Sequence, residues 1–220
     1  REFREFQPEH DSGTFKAIDL NQDNQPVVQV TWEQAARFCN WLSRKEGLPP
    51  VYTEVNGQLR STNPVGQGYR LPTEAEWEFC ARYGPTAKSW KYPWGESFPP
   101  TAKTVNIADA SATNILTLVL DKYEDAHPAA APVGSFPPNP EGLFDLGGNV
   151  AEWCHDYYAI YPYNAQKVYV DPRGPEQGKY HVIKGSSWMQ AGISELRLAY
   201  RDYSDTKRLD LGFRVCRYVK

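Results

Sequence analysis

The stretch Tyr69-Arg-Leu-Pro-Thr-Glu-Ala-Glu-Trp-Glu78 contains a complete helix start. The Thr73 hydroxyl can accept from the amide of Glu76, and the Glu76 side chain can reach back to the Thr73 amide, which is a capping box. Pro72 precedes it. The helix so opened puts Trp77, Cys80 and Ala81 on one face and stops by Gly84. Upstream the device recurs: Thr31-Trp32-Glu33-Gln34 opens a helix that carries Ala35, Phe38, Cys39 and Leu42 and ends near Gly47, before Pro49-Pro50. A strand-like run, Val27 to Val30, leads into it. Between the helices, Val51-Tyr52-Thr53-Glu54-Val55 and Gln58-Leu59-Arg60 flank Asn56-Gly57. Asn-Gly between β-type runs predicts a hairpin, because a type I′ turn needs positive φ twice.

Farther out the pattern changes. Phe3 and Phe6, three apart among charges, read as the back half of an amphipathic helix. From Pro85 to Pro140 no helical period appears, and the run Ile115 to Leu120 is short; so long an irregular stretch is ordered by function or by metal. The last third returns to β at Tyr180 to Ile183, Leu196 to Tyr200 and Leu211 to Val219. In the final run Phe213, Val215 and Arg217 alternate with Arg214, Cys216 and Tyr218. Two early helices, a long irregular middle and terminal strands make an α+β domain over residues 1–220.

Composition agrees. The 220 residues include 16 Gly, 18 Pro, 7 Trp, 14 Tyr and a single Met. That points away from a helical bundle and toward much irregular backbone. A net charge of -3 without a long basic run lacks a nucleic-acid footprint, and no apolar stretch is long enough to span a membrane. Cys39, Cys80, Cys154 and Cys216 include no CxxC pair, a poor zinc signature. Buried free thiols are the favoured reading, with one or two disulfides as the alternative. His10, His127, His155 and His181 are scattered, with no second His at a metal-binding spacing from His155-Asp156.

Four further segments join the first: Tyr92-Pro-Trp-Gly95, Gly142-Leu-Phe-Asp-Leu-Gly-Gly-Asn-Val-Ala-Glu-Trp153, Lys184-Gly-Ser-Ser-Trp188 and Leu211-Gly-Phe-Arg214. In this order and spacing the five resemble the formylglycine-generating enzyme family, also called sulfatase-modifying factors, from about Val27 to Val219. The resemblance implies a single-domain, elaborated C-type-lectin-like fold with low regular secondary structure. It also implies that Phe3 to Phe6 ends the family's first helix, so the chain is expected to lack the first strand. A secreted or periplasmic location is favoured over a cytoplasmic one.

Active members of that family oxidise a cysteine of sulfatases to formylglycine, using oxygen and a copper ion held by two cysteines near the C-terminus. The matching stretch here, Trp188-Met-Gln-Ala-Gly-Ile-Ser-Glu195, has no cysteine. Gln190 falls at the first ligand position and Ser194 or Glu195 near the second, so copper is not expected, since Cu(I) prefers soft thiolates. Cys216 lies one residue beyond a position where family members often carry a structural cysteine. Some members join the second helix and last strand by a disulfide, and Cys80 and Cys216 are each displaced by one residue from those positions.

The resemblance also implies one or two structural calcium ions, for which hard oxygens are suited. Asn106, Asp125 and the carbonyls of Ile107 and His127 align with one site. Asp145, Glu152 and the carbonyls of Gly148 and Val150 align with the other. The region that holds substrate peptide in active members would here contain Trp188, Met189, Gln190, Arg197, Tyr200, Arg201 and Tyr203, with Trp94 nearby. Guanidinium beside rings suits binding, although for Trp188 and Trp94 the core-ring reading is the favoured one. The expected function is a calcium-stabilised module that binds protein or peptide. The alternative is an enzyme of the same family with a diverged site, either a formylglycine-generating oxidase or another metal-dependent oxidoreductase.

Overall fold

A computed structural model describes residues 1–62, 65–83, 89–160 and 166–219. The chain opens on a short helix, α1 (Glu2–Phe6), whose buried Phe3 stacks on Phe38 with ring centroids 5.4 Å apart. A small hairpin pairs β1 (Thr14–Phe15) with β2 (Ile18–Asp19). The strand expected over Val27 to Val30 does not form. Gln29 takes φ 59°, which breaks the extended run, and Val28 and Val30 enter different apolar clusters.

Both capping boxes close. In α2 (Trp32–Lys45) the Thr31 hydroxyl accepts from the Gln34 amide at 3.2 Å, and Gln34 Oε1 accepts from the Thr31 amide at 2.9 Å. The Asn56-Gly57 hairpin joins β3 (Tyr52–Val55) to β4 (Gln58–Ser61), with φ 52° and 77° at the two turn residues. In α3 (Glu74–Arg82) the Thr73–Glu76 box repeats the first, and Trp77 and Ala81 are buried while Cys80 is only half-buried. Gly84, the expected helix end, lies outside the described residues.

Between 89 and 140 one 3-10 turn, Ala110–Ala112, is the sole helical element among the described residues, and Ile115 to Leu120 forms no strand. The main sheet gathers β5 (Ala151–Tyr157), β6 (His181–Lys184), β7 (Asp202–Ser204) and β8 (Leu211–Phe213) in the order β7-β6-β5-β8. β5 runs antiparallel to β6 and parallel to β8. The sequence pattern missed β5, because a strand covered on both faces has no polar alternation. It also missed β7. Leu196 to Tyr200, expected as a strand, is a series of turns that buries Leu196 and Leu198 from a loop. The last run is a strand only over Leu211–Phe213; beyond it Cys216 makes an isolated bridge with Arg70.

The resulting α+β fold has few helices, small sheets and long ordered loops. Trp32 and Trp153 stitch those loops to the sheet, each using its indole N–H where apolar burial alone would leave a donor unpaired, whereas the buried Trp188 N–H has no partner. Trp153 Nε1 donates to the Val30 carbonyl at 3.0 Å and Trp32 Nε1 to the Cys154 carbonyl at 2.8 Å. All four cysteines are unpaired, and Cys39 and Cys154 are fully buried.

Candidate functional site

The first expected cation loop is drawn together by one carboxylate. Asp125 Oδ2 accepts from the Ile107 amide at 3.1 Å and its Oδ1 from the His127 amide at 2.7 Å. Asn106 Nδ2 donates to the Ala129 carbonyl at 2.9 Å and to Asn149 Oδ1 at 3.2 Å, so its own Oδ1 is buried without a partner. Asp109, which the sequence reading did not include, is fully buried here too; its Oδ2 accepts from the Asp125 amide and its Oδ1 from the Ser111 amide. Burial, reinforced by the neighbouring Asp109 carboxylate, pushes the Asp125 carboxyl well above the usual range. Two buried acids and an orphaned amide oxygen, with no basic side chain in a salt bridge to either acid among the described residues, suit a hard divalent cation.

The second expected set also shares one depression, lined by Asp145, Gly148, Val150 and Glu152 together with Phe144 and Arg214. Asp145 Oδ2 accepts from the Gly134 amide at 2.8 Å, while its Oδ1 is buried and unpartnered. Glu152 is already balanced. Arg214 grips both its oxygens, with Nε at 2.6 Å from Oε2, and Trp77 Nε1 donates to Oε2 at 2.6 Å. Oxygen donors are present in both sets, and the uncompensated charge is greater in the first. Calcium held there would neutralise Asp125 and pin the 106 and 125 segments; it would supply no reaction chemistry.

The expected ligand surface divides in two. Trp188 is fully buried against Phe15 at 5.2 Å, so it is a core ring withdrawn from any partner. Met189 and Gln190 are half-buried. Gln190 Oε1 accepts from the Ser187 amide at 3.0 Å, and its carbonyl accepts from the Ala108 amide at 3.0 Å, which ties this loop to the first cation loop. Glu195 Oε2 accepts from the Gly192 amide at 3.2 Å. A copper–thiolate centre does not fit these residues. Gln190 and Glu195 offer oxygen and are spent on loop amides, and burial raises all four thiols above their ordinary pKa, Cys216 to about 12. Trp94 lies apart, stacked on Tyr92 at 5.1 Å.

Arg201 and Tyr203 do come together, around two tyrosines that the expected ligand surface did not include. Arg201 lies 4.6 Å over the Tyr158 ring, Tyr203 is 4.2 Å from Tyr158, and Tyr180 is 5.1 Å from Tyr203. Glu74 and the Ala159 carbonyl hold the Arg201 guanidinium in place. The Tyr158 amide donates to the Tyr180 carbonyl at 2.7 Å, which sets these rings side by side. Tyr203 is 45% exposed, so this face is open. Arg197 is exposed elsewhere on the preceding loop, and Tyr200 is half-buried.

Residues 2–219 match the family described as "Sulfatase-modifying factor enzyme 1-like domain". The chain is 33% identical over 196 residues to a "Formylglycine-generating enzyme" of Streptomyces coelicolor, covering 87% of this chain and 52% of that protein. It is 32% identical to "Serine/threonine-protein kinase pkn1" of Chlamydia pneumoniae, covering 92% of this chain and 25% of that one. It is 29% identical to "Chaperone protein LppX" of Paenibacillus barcinonensis, covering 89% and 70%. Among solved structures, "Treponema denticola variable protein 1" superposes with a TM-score of 0.68 at 30% identity, over 96% of this chain and 77% of that one. The chain spans about half the length of the formylglycine-generating relatives it matches.

Proposed function

The chain belongs to the sulfatase-modifying factor enzyme 1-like family, and on that premise we propose that it works as a calcium-stabilised module that binds a protein or peptide, without copper-dependent cysteine oxidation. The observation that carries this reading is the 188–195 loop. Where soft thiolates would be needed, it has Gln190 and Glu195, both engaged with backbone amides.

The binding part rests on the face of Tyr158, Tyr180, Tyr203 and Arg201. Half-exposed rings and a positioned guanidinium give contact area at low entropy cost, the composition of an interface anchor. The similarity to a protein named as a chaperone is in keeping with such a role, and the match to one quarter of a kinase suits a module that accompanies other domains. The calcium part rests on the orphaned Asn106 oxygen and buried Asp125 of the first set, and on the orphaned Asp145 oxygen of the second.

Incubation with a Cys-x-Pro-x-Arg peptide, oxygen and copper tests the negative half. Mass spectrometry should show an unchanged cysteine, and oxygen-dependent mass loss there would overturn the reading. Selection from a peptide library tests the positive half: enriched peptides should bind the native chain and be lost on Tyr158→Ala together with Tyr203→Ala. Elemental analysis should find calcium; stoichiometric copper or iron would favour an oxidoreductase instead.

A further inference from the structure

A cleft separates β4 from the 171–176 segment and contains none of the residues assigned above to calcium or to the tyrosine face. Its two lobes share Ser61, His155 and Arg173. The inner lobe, about 390 Å³, is walled by Trp32, Tyr157 and His181, with Arg60 and Glu176 among its lining. Tyr157 and Tyr158 are successive residues at the end of an extended strand, so their rings leave opposite faces.

Two imidazoles meet this lobe. His181 is held in a slipped stack, 3.8 Å and 8° from Trp32 on one side and 4.1 Å from Tyr157 on the other. It is only 6% exposed, and its Nδ1 has no hydrogen-bond partner. The His181 N–H is turned to the backbone carbonyls of His155 and Asp156, so the bare Nδ1 is an acceptor enclosed by the stack and the ring serves as wall rather than as donor. His155 Nδ1 lies 3.2 Å from the Tyr52 hydroxyl, which accepts from the Leu71 amide at 3.1 Å. The Tyr52 proton is thereby directed at Nδ1, and the His155 N–H sits at Nε2. Burial keeps both rings neutral, with pKa values near 4 for His155 and 3 for His181.

Arg173 closes the lobe. Its Nη2 donates to Ser61 Oγ and to the Thr62 carbonyl, and neither Arg173 nor Arg60 has a carboxylate partner among the described residues. In the outer lobe Asp171 is present and Arg70 is already paired with Glu76. Two arginines against Glu176 leave the inner lobe one positive charge in excess. A monoanion cancels that charge, while a dianionic phosphate would overshoot it.

We propose that this cleft is a second ligand site that takes a small carboxylate on a flat ring, the carboxylate meeting Arg173 and the His155 Nε2–H and the ring resting against the Trp32–His181–Tyr157 wall. A guanidinium fork fits a carboxylate in two-point fashion, and a lobe of this volume admits a bicyclic ring. The site does not depend on what the tyrosine face binds.

The test is titration of the full chain with indole-3-acetate at pH 7, followed by tryptophan fluorescence and by the His181 ring resonances. Saturable binding is expected, at least tenfold tighter than for the neutral indole-3-acetamide or for phenyl phosphate. Arg173→Gln should weaken it tenfold or more. His155→Phe should weaken it as well, whereas His181→Phe, which keeps the stacked wall, should leave it unchanged. Arg201→Gln, on the tyrosine face, should leave it unchanged. No saturable binding, equal or tighter affinity for the amide or the phosphate, retention of binding in both Arg173→Gln and His155→Phe, or loss in Arg201→Gln would each overturn the proposal.

Discussion

Asn149 and Asn106 clasp each other twice. The Asn149 backbone N–H donates to the Asn106 carbonyl at 2.8 Å, and Asn106 Nδ2 donates back to Asn149 Oδ1 at 3.2 Å. The same Asn149 side chain pairs with both backbone groups of Ala131, and its carbonyl accepts from the Trp188 amide at 2.9 Å. One residue, through backbone and side chain together, therefore joins the two cation loops to the tryptophan loop. It sits at φ 67°, a conformation Asn tolerates better than most residues. Asn149→Ala strands several buried groups, each costing about 1–3 kcal/mol. We expect a loss of about 3 kcal/mol or more in denaturant unfolding, with an unchanged m-value as the sign that the fold itself survives.

Gly148 lies next to that clasp. A Cβ there would overlap Val105 Cγ2 and come within 3.0 Å of the Asn106 carbonyl. The backbone side of that contact cannot yield without moving the first loop. Gly148→Ala should cost about 1–3 kcal/mol by overpacking, and it should weaken calcium binding as well as lower the melting temperature. A variant as stable as the native chain would show that the two loops are not rigidly joined.

Calcium itself should act through mass action. At a hundredfold excess over its Kd, a ligand that binds only the folded state adds about 2.7 kcal/mol. For a chain of this size that corresponds to a rise of roughly 5–10 °C in melting temperature. Scanning calorimetry with calcium and then with chelator should show that difference, and Asp125→Asn, which keeps the side-chain shape, should abolish most of it. Equal melting temperatures in both conditions would count against a structural ion.

Asp156 gives a pH signature of its own. It is 5% exposed, and its Oδ2 accepts from the Glu74 amide at 2.9 Å. Burial, aided by the nearby Glu74 and Glu76, raises its pKa from 3.8 to about 7. The folded state thus keeps a proton that the unfolded state releases near 3.8, so the stability it contributes is whole below that pH and is lost as pH rises through about 7. Asp156→Asn cannot ionise. It should become progressively more stable than the native chain from pH 4 upward, with the gap levelling off above pH 7. His155 and His181 act in the other direction: both are held neutral below the ordinary 6.5, so both erode stability as pH falls from 6.5 toward their folded values. A gap between the two proteins that ignores pH would refute the assignment.

Local chemistry was readable from neighbouring residues. Thr31 with Gln34, Thr73 with Glu76 and the Asn56-Gly57 pair each act over two to four positions, and each formed as the pattern demands. The strand reading failed where burial is two-sided or the backbone turns. β5 carries His155 and Asp156 inside a covered sheet centre, and Gln29 interrupts an apolar run with a left-handed residue. Period alone registers neither.

The sequence by itself determined the helix starts, the hairpin and the absence of cysteine from residues 188–195, because those are properties of adjacent residues or of composition. It also supplied the motif order that marks the family. Only the tertiary structure decided that Tyr158, Tyr180 and Tyr203 share a face, that Arg214 neutralises Glu152, and that Trp32, His155, Arg173 and His181 close around one cleft. These groups lie far apart along the chain. Their chemistry depends on burial and on the company of other buried charges, which arise only once the loops have packed against the sheet.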